Sequence, residues 1–366
     1  MTANNIQLNG IKYTSENLDD LHVKDEPDDS WRNAIYHFLV NWFDESDFIL
    51  AQTSGSTGKP KEIHLRKAAM INSARMTNHF FKLHAKSTAL LCMPASYIAG
   101  KMMLVRAIVG GFNLLTVEPS ANPFKNLNVP IDFTAITPYQ LSHSIESLLT
   151  KHVGKIIVGG SPVTGKLEQL VENIPAELYE TYGMTETCSH IALRRFNGKD
   201  KSDCFTVLSG IEIHQTKRGT LVIDAPLLLE YEIHTNDLVE LVGENSFRWL
   251  GRDDMAINSG GLKIHPEQIE KKLESVIPSA YFITALPDFY LLYQVVLVIE
   301  SGKYSPEQEQ NLRNSLKEVL GKYEIPKQIF YLPSFIYSSG NKVLRNETLN
   351  EVIRLGELDN KTTPNH

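Results

Sequence analysis

The chain has 366 residues, 42% of them hydrophobic and 22% charged, with a formal net charge of −7. That length allows two or three domains and a sizeable core, and the composition is that of a globular chain rather than a disordered or fibrous one. The acidic balance argues against a nucleic-acid partner, and no apolar run is long enough to span a bilayer.

The N-terminus, Met1-Thr2-Ala3-Asn4-Asn5, is polar and lacks the apolar core of a signal peptide, so the cytoplasm is the expected location. An acidic stretch, Asp25-Glu26-Pro27-Asp28-Asp29, precedes a helical pattern over Trp31–Phe43, in which Ile35, Phe38, Leu39 and Trp42 recur at helical spacing. Residues 48–51 and 62–65 read as short strands. Between them lies Thr53-Ser54-Gly55-Ser56-Thr57-Gly58-Lys59-Pro60-Lys61. Glycines let a backbone fold tightly enough to aim successive N–H groups at one point, and hydroxyls and ammonium groups add donors suited to phosphate oxygens. We read this stretch as a polyphosphate cradle. It is not the P-loop of NTPases, which needs a glycine five residues before Gly58 and a helix where Pro60 stands. A flexible surface linker is the plain alternative, but linkers rarely carry two lysines and a proline between strand signals.

Strands and helices then alternate. Residues 67–82 read as a helix, 90–93 as a strand, 101–109 as a helix and 113–117 as a strand, with further short apolar runs at 133–136 and 155–158. This rhythm predicts a layered α/β domain. From about Cys204 the strands shorten, at 211–213, 220–223, 237–241 and 247–249, which predicts a β-rich part. After Gly251 a smaller α+β unit is expected, with a helix at 266–276 that has proline in its first turn, a strand at 294–299 and a helix at 306–320. The polar tail after Gly356 is expected to fray. The three cysteines, Cys92, Cys188 and Cys204, are widely spaced and odd in number. That suits a reducing compartment better than a disulfide framework, and Cys188 reads as a small packing residue rather than a nucleophile.

Four further stretches follow the cradle at long intervals. They are Tyr182-Gly183-Met184-Thr185-Glu186, then Thr235-Asn236-Asp237, then Gly251-Arg252-Asp253-Asp254 running through Ser259-Gly260-Gly261 to Pro266-Glu267 and Ile269-Glu270, and last Lys342-Val343-Leu344-Arg345. In this order and spacing they resemble the adenylate-forming superfamily, which includes acyl-CoA synthetases, peptide-synthetase adenylation domains and firefly luciferase. The resemblance runs from about residue 48 to the end of the chain. It implies a large α/β domain over residues 1–252, with its β-rich part at about 204–252, and a small mobile α+β domain over 253–366.

The resemblance also implies site roles. Thr53, Ser54, Gly55, Ser56, Thr57, Gly58 and Lys61 would hold the β- and γ-phosphates of ATP. Thr185 would contact the α-phosphate, and Glu186 would ligate Mg²⁺, a hard cation that favours carboxylate oxygen. Gly159-Gly160-Ser161 and Glu180-Thr181-Tyr182 would form the adenine pocket, with Tyr182 offering a flat face. Asp237 would accept from the ribose hydroxyls, assisted by Arg252. Lys342 would reach the α-phosphate and the acid. Asp254 matches the hinge, and Ser259-Gly260-Gly261 would line a tunnel for the thiol of CoA. The reaction implied is activation of a small-molecule carboxylic acid as an acyl-adenylate, then transfer to CoA. Positive charge and donors must sit where charge develops on the α-phosphorus, and no general base is needed. A homodimer is left open.

Three departures from the family pattern stand out. Asn236 replaces the usual glycine of the Thr-Gly-Asp stretch, Gly340-Asn341-Lys342 replaces glycine directly before lysine, and about 50 residues precede the cradle where typical members carry more. Within the superfamily, Tyr182 to Ile191, Pro94-Ala95-Ser96-Tyr97-Ile98-Ala99-Gly100 and Ile136-Thr137-Pro138-Tyr139-Gln140-Leu141 resemble the o-succinylbenzoate–CoA ligases of menaquinone synthesis. Such an acid carries an aromatic ring and a second, unactivated carboxylate, which needs an apolar wall and a cation or donor. Arg106 is the residue assigned here to that carboxylate, with His190 or Ser189 as alternatives and Tyr97 at the pocket. Another aryl- or acyl-CoA ligase, an enzyme that loads a carrier protein, and a degenerate nucleotide-binding protein are the competing readings.

Overall fold

The computed structural model describes residues 5–52, 62–337 and 343–361. Its largest element is a thirteen-stranded sheet. Six neighbouring strands at its centre are parallel: Glu177–Gly183, Val153–Val158, Ile131–Ile136, Thr88–Leu91, Asn113–Thr116 and Asn5–Leu8, in that spatial order. Their apolar runs follow from burial on both faces. Leu91, Phe133 and Ile157 enter one core cluster with Phe38, Met70 and Met103 from the helices Trp31–Phe43, Lys67–Phe81 and Ile98–Gly110. Leu90, Ile156 and Val158 enter a second with Leu141, Leu148 and Leu167 from the helices on the opposite face. The expected α/β layering is therefore observed.

The helix boundaries follow local chemistry. The Ser30 hydroxyl caps Trp31–Phe43 by accepting from the Asn33 N–H. Lys82, in the left-handed region at φ +57°, ends Lys67–Phe81. Thr137 and Gln140 form a reciprocal capping box around Pro138.

The strands from Phe205 to Arg252 are hydrogen-bonded into the same large sheet, through antiparallel pairing of Phe205–Val207 with His190–Arg195. The strands from Ile257 onward form a different, five-stranded sheet with its own buried cluster around Ile269, Leu297 and Leu316. Phe48–Gln52 and Glu62–Arg66 pair antiparallel from Phe48↔Arg66 to Gln52↔Glu62, so the expected cradle joins two paired strands. Two differences from the sequence reading are informative. The edge hairpin Asn5–Leu8 and Ile11–Thr14 has no counterpart there, because four-residue strands carry too few alternations to stand out. The last helix runs Arg345–Lys361, past Gly356 where a frayed tail is expected.

The order of the parallel strands reverses beside Thr88–Leu91. The chain leaves that strand for Asn113–Thr116 on one side and returns to Ile131–Ile136 on the other. Open parallel sheets bind ligands beyond the carboxyl ends of the strands at such a reversal. The segment 92–100 and Thr137 stand there. Gln140 braces them, donating to the Cys92 carbonyl at 3.1 Å and accepting from the Thr137 N–H at 3.2 Å.

Candidate active site

The strand Glu177–Gly183 leads into a tight turn at its carboxyl end. The Thr187 hydroxyl closes it, accepting from the Met184 N–H at 3.1 Å and lying 2.7 Å from the Ser189 carbonyl. Gly183 is required there, since a Cβ would stand 2.5 Å from the Ser189 carbonyl oxygen. Thr185 is half-buried, and Glu186 is exposed with no salt bridge among the described residues. Cys188 is buried in the core cluster, and burial pushes its thiol up to about 12, so it stays neutral and packs.

Asp237 sits opposite Arg252 in the antiparallel register. One carboxylate oxygen accepts from the Tyr182 hydroxyl at 2.7 Å and the other from the Trp249 indole N–H at 3.2 Å. Burial first, and then Asp237, push the Tyr182 hydroxyl upward, so it remains a donor. The Tyr182 ring packs at a near-right angle to Phe247 at 5.0 Å and tilted against Phe205 at 5.8 Å, so these rings fix its orientation. Arg252 does not point at Asp237. Its guanidinium grips Asp254, at 2.9 and 2.6 Å, and the Asn236 amide donates to the same carboxylate at 3.2 Å.

The residues expected to line the adenine pocket are held in place by close packing and buried hydrogen bonds. The Gly159 backbone approaches Thr181 so closely that a Cβ would lie 2.2 Å from its hydroxyl oxygen, and Gly160 has φ +93°. Ser161 is exposed. The buried Glu180 carboxylate accepts from the Val163 N–H at 2.8 Å and from Arg194 at 2.9 and 2.6 Å, and Arg194 also reaches Glu168 at 2.6 Å. Glu180 therefore braces the 159–163 loop with both oxygens committed inside the protein.

At the other expected pocket, Gly100 lets the helix Ile98–Gly110 abut Pro94, where a Cβ would lie 2.2 Å from the carbonyl oxygen. Tyr97 is exposed. Lys101 is used locally, donating to the Ala95 and Ser96 carbonyls at 3.0 and 3.1 Å. Arg106 is 1% exposed. One terminal nitrogen donates to the Ser189 hydroxyl at 2.6 Å and the other contacts the Met103 sulfur, while its Nε–H has no partner among the described residues. It makes no salt bridge among the described residues. Burial pushes its guanidinium down to about 9, which still leaves it charged at neutral pH. Ser189 also meets His190 Nδ1 at 3.3 Å. Three of the residues named for the acyl pocket are thus in contact, and Arg106 reaches Ser189 across 83 positions of chain.

The sequence pattern of the AMP-binding enzyme family matches residues 10–218, more than half of the chain. The chain belongs to that family. A solved relative, an acyl-CoA synthetase (AMP-forming)/AMP-acid ligase II-like protein from Dyadobacter fermentans, is 34% identical, with a TM-score of 0.60 over 90% of this chain and 96% of that one. A 2-succinylbenzoate–CoA ligase of Bacillus cereus is 25% identical over 81% of this chain and 68% of its own length. The o-succinylbenzoate coenzyme A synthetase of Bacillus subtilis, solved with ATP and magnesium, shares the fold at a TM-score of 0.67 and 22% identity, over 82% of this chain and 69% of that one.

Within this AMP-binding enzyme, Ser259-Gly260-Gly261 forms the tip of the hairpin Ile257–Ser259 and Leu262–Ile264. Gly260 and Gly261 have φ +57° and +84°, as a two-residue hairpin turn of mirrored type demands. A Cβ on Gly261 would meet nothing within 4 Å, so backbone conformation, and not clearance, accounts for that glycine here. The cradle, Thr53 to Lys61, and Lys342 with Gly340 and Asn341 lie outside the described residues. Among the described residues no helix is long and apolar enough to cross a membrane. Trp249 and Thr77 escape the sequence reading, and nothing local marks them. Gln140 falls in the run Ile136–Leu141 noted above, and its bracing role is legible as the last residue of a Thr-x-x-Gln capping pattern.

Proposed function

We propose that this AMP-binding enzyme is an acid–thiol ligase that converts o-succinylbenzoate to its CoA thioester. An acid carboxylate oxygen attacks the α-phosphorus of ATP. The bond to the bridging oxygen of the β-phosphate breaks, pyrophosphate leaves, and an acyl-adenylate remains. The sulfur of CoA, having lost its proton, then attacks the acyl carbon and AMP departs.

Asp237, fixed by Tyr182 and Trp249, keeps lone pairs for the ribose hydroxyls. Glu186 fits a magnesium ion, because it is an exposed carboxylate without an ion pair among the described residues. No group of three or more metal-ligating side chains exists among the described residues. A cation there would draw its remaining ligands from phosphates and water, as Mg²⁺ does. It would supply positive charge as the phosphates separate. Thr185 and Lys342 are assigned to the reacting α-phosphate, and Thr53 to Gly58 with Lys61 to the β- and γ-phosphates. Asp254 is the assigned hinge between residues 1–252 and 253–366, and the hairpin tip at 259–261 the approach for the thiol.

The observation that carries the substrate assignment is Arg106. A buried guanidinium without a carboxylate is costly, and an acid with a second carboxylate would relieve that cost. Its unpartnered Nε–H singles it out over Ser189 and His190, which already bond to each other. The test is pyrophosphate release by purified protein with ATP and Mg²⁺. Faster release with o-succinylbenzoate than with benzoate or a fatty acid is expected; equal rates end the assignment.

A further inference from the structure

We propose that Thr77 is a positioning residue for the acyl site, acting through His190 and Ser189 to fix the Arg106 guanidinium. This rests on the reading of Arg106 as the receiver of the second carboxylate. Thr77 is fully buried on the helix Lys67–Phe81, and His190 is 4% exposed at the start of the strand His190–Arg195. The Thr77 hydroxyl lies 3.2 Å from His190 Nε2 and 3.1 Å from the Ser73 carbonyl one helical turn back.

The placement of hydrogens follows from which groups can only donate or only accept. Arginine only donates, so Ser189 Oγ accepts from Arg106 at 2.6 Å. The Ser189 hydrogen then needs an acceptor, and His190 Nδ1 faces it at 3.3 Å. Nδ1 therefore carries a lone pair, and Nε2 carries the ring hydrogen. That hydrogen goes to Thr77 Oγ1, whose own hydrogen goes to the Ser73 carbonyl. Each hydrogen of the chain has one destination, and the imidazole is neutral. Burial first, and the neighbouring Arg106 second, independently hold His190 well below its ordinary pKa.

Thr77 is thus the group that sets the tautomer. Without its hydroxyl the Nε2–H is stranded in the core, and the ring does better with its hydrogen on Nδ1, donating to Ser189. The Ser189 hydrogen then turns away from the ring, and the lone pair that held the arginine is no longer fixed. Valine matches threonine in shape and lacks the acceptor; serine keeps it.

The experiment uses the full chain, ¹⁵N-labelled at histidine and free of ligand, with His190 assigned by its loss in His190→Gln. The wild-type protein at pH 7 should show the neutral Nε2–H form, and Thr77→Val the Nδ1–H form. Thr77→Val should also raise the KM for o-succinylbenzoate about ten-fold, the effect of one misplaced buried hydrogen bond, with the KM for ATP unchanged. Thr77→Ser should restore both readouts. A wild-type Nδ1–H ring or imidazolium overturns the proposal, as does a serine variant that behaves like valine. The tautomer is read with no acid present, so a wrong substrate leaves that result standing, while a wrong tautomer defeats the network whatever the substrate is.

Discussion

Arg252 and Asp254, two residues apart, form a two-pronged ion pair at 2.9 and 2.6 Å, with the Asn236 amide as a third clasp on the same carboxylate. The pair joins the residue assigned to ribose to the residue assigned to the hinge. Asn236 occupies the position where the family pattern has glycine, so this chain adds a donor to Asp254, the residue assigned to the hinge. Both side chains of the ion pair are 42% exposed, so its contribution to stability is small. Asp254→Ala should lower unfolding free energy by less than about 1 kcal/mol. It should alter the ratio of acyl-CoA formation to pyrophosphate exchange, measured separately on one preparation. An unchanged ratio would remove Asp254 from the hinge.

Arg194 joins two carboxylates, the buried Glu180 and the half-buried Glu168. Its removal leaves the buried Glu180 without its cation, a change that costs about 3–5 kcal/mol, while Glu168 keeps Lys201 at 3.6 Å. Arg194→Met should therefore cause a large drop in the urea midpoint. Because Glu180 also holds the Val163 N–H, the KM for ATP should rise in Glu180→Gln even where that milder variant stays folded.

Acidification should weaken the fold through His190. Its folded pKa lies well below the ordinary 6.5 because of burial, so below about pH 6.5 the unfolded chain binds a proton that the folded one refuses. Stability is present in full above that pH and falls as pH drops, by up to about 1.4 kcal/mol per unit for this one group. Thermal melts of wild type and His190→Gln at pH 7.5 and 5.5 should show a shallower loss in the variant. Equal losses would mean that His190 accepts its proton in the native state.

The hairpin glycines separate two explanations of one motif. Asparagine tolerates a left-handed backbone and alanine does not, by about 1–2 kcal/mol. Gly261→Asn should melt close to wild type and Gly261→Ala clearly below it. If the hairpin tip also admits the thiol, Gly261→Asn should slow thioester formation while pyrophosphate exchange continues at its normal rate.

Much of this is legible in the chain itself. Leu90, Ile136, Ile156 and their neighbours announce strands buried on both faces, because a parallel sheet between two helical layers demands unbroken apolar runs. Pro266 and Pro306 mark helix starts because proline lacks the N–H that a first turn leaves unused. The glycine-hydroxyl-lysine stretch places a loop between strands, and the strands are there.

What the chain could not disclose is which distant side chains meet. Thr77 and His190 are 113 positions apart, Arg106 and Ser189 83, Tyr182 and Asp237 55. Hydrophobic period and turn chemistry are local, so they fix elements and leave partners open. Partnership is set by sheet order and helix packing. Only folding turned Arg106 from one arginine on an apolar helix into a buried cation with no anion among the described residues, and tied both oxygens of Glu180 to the Val163 N–H and Arg194.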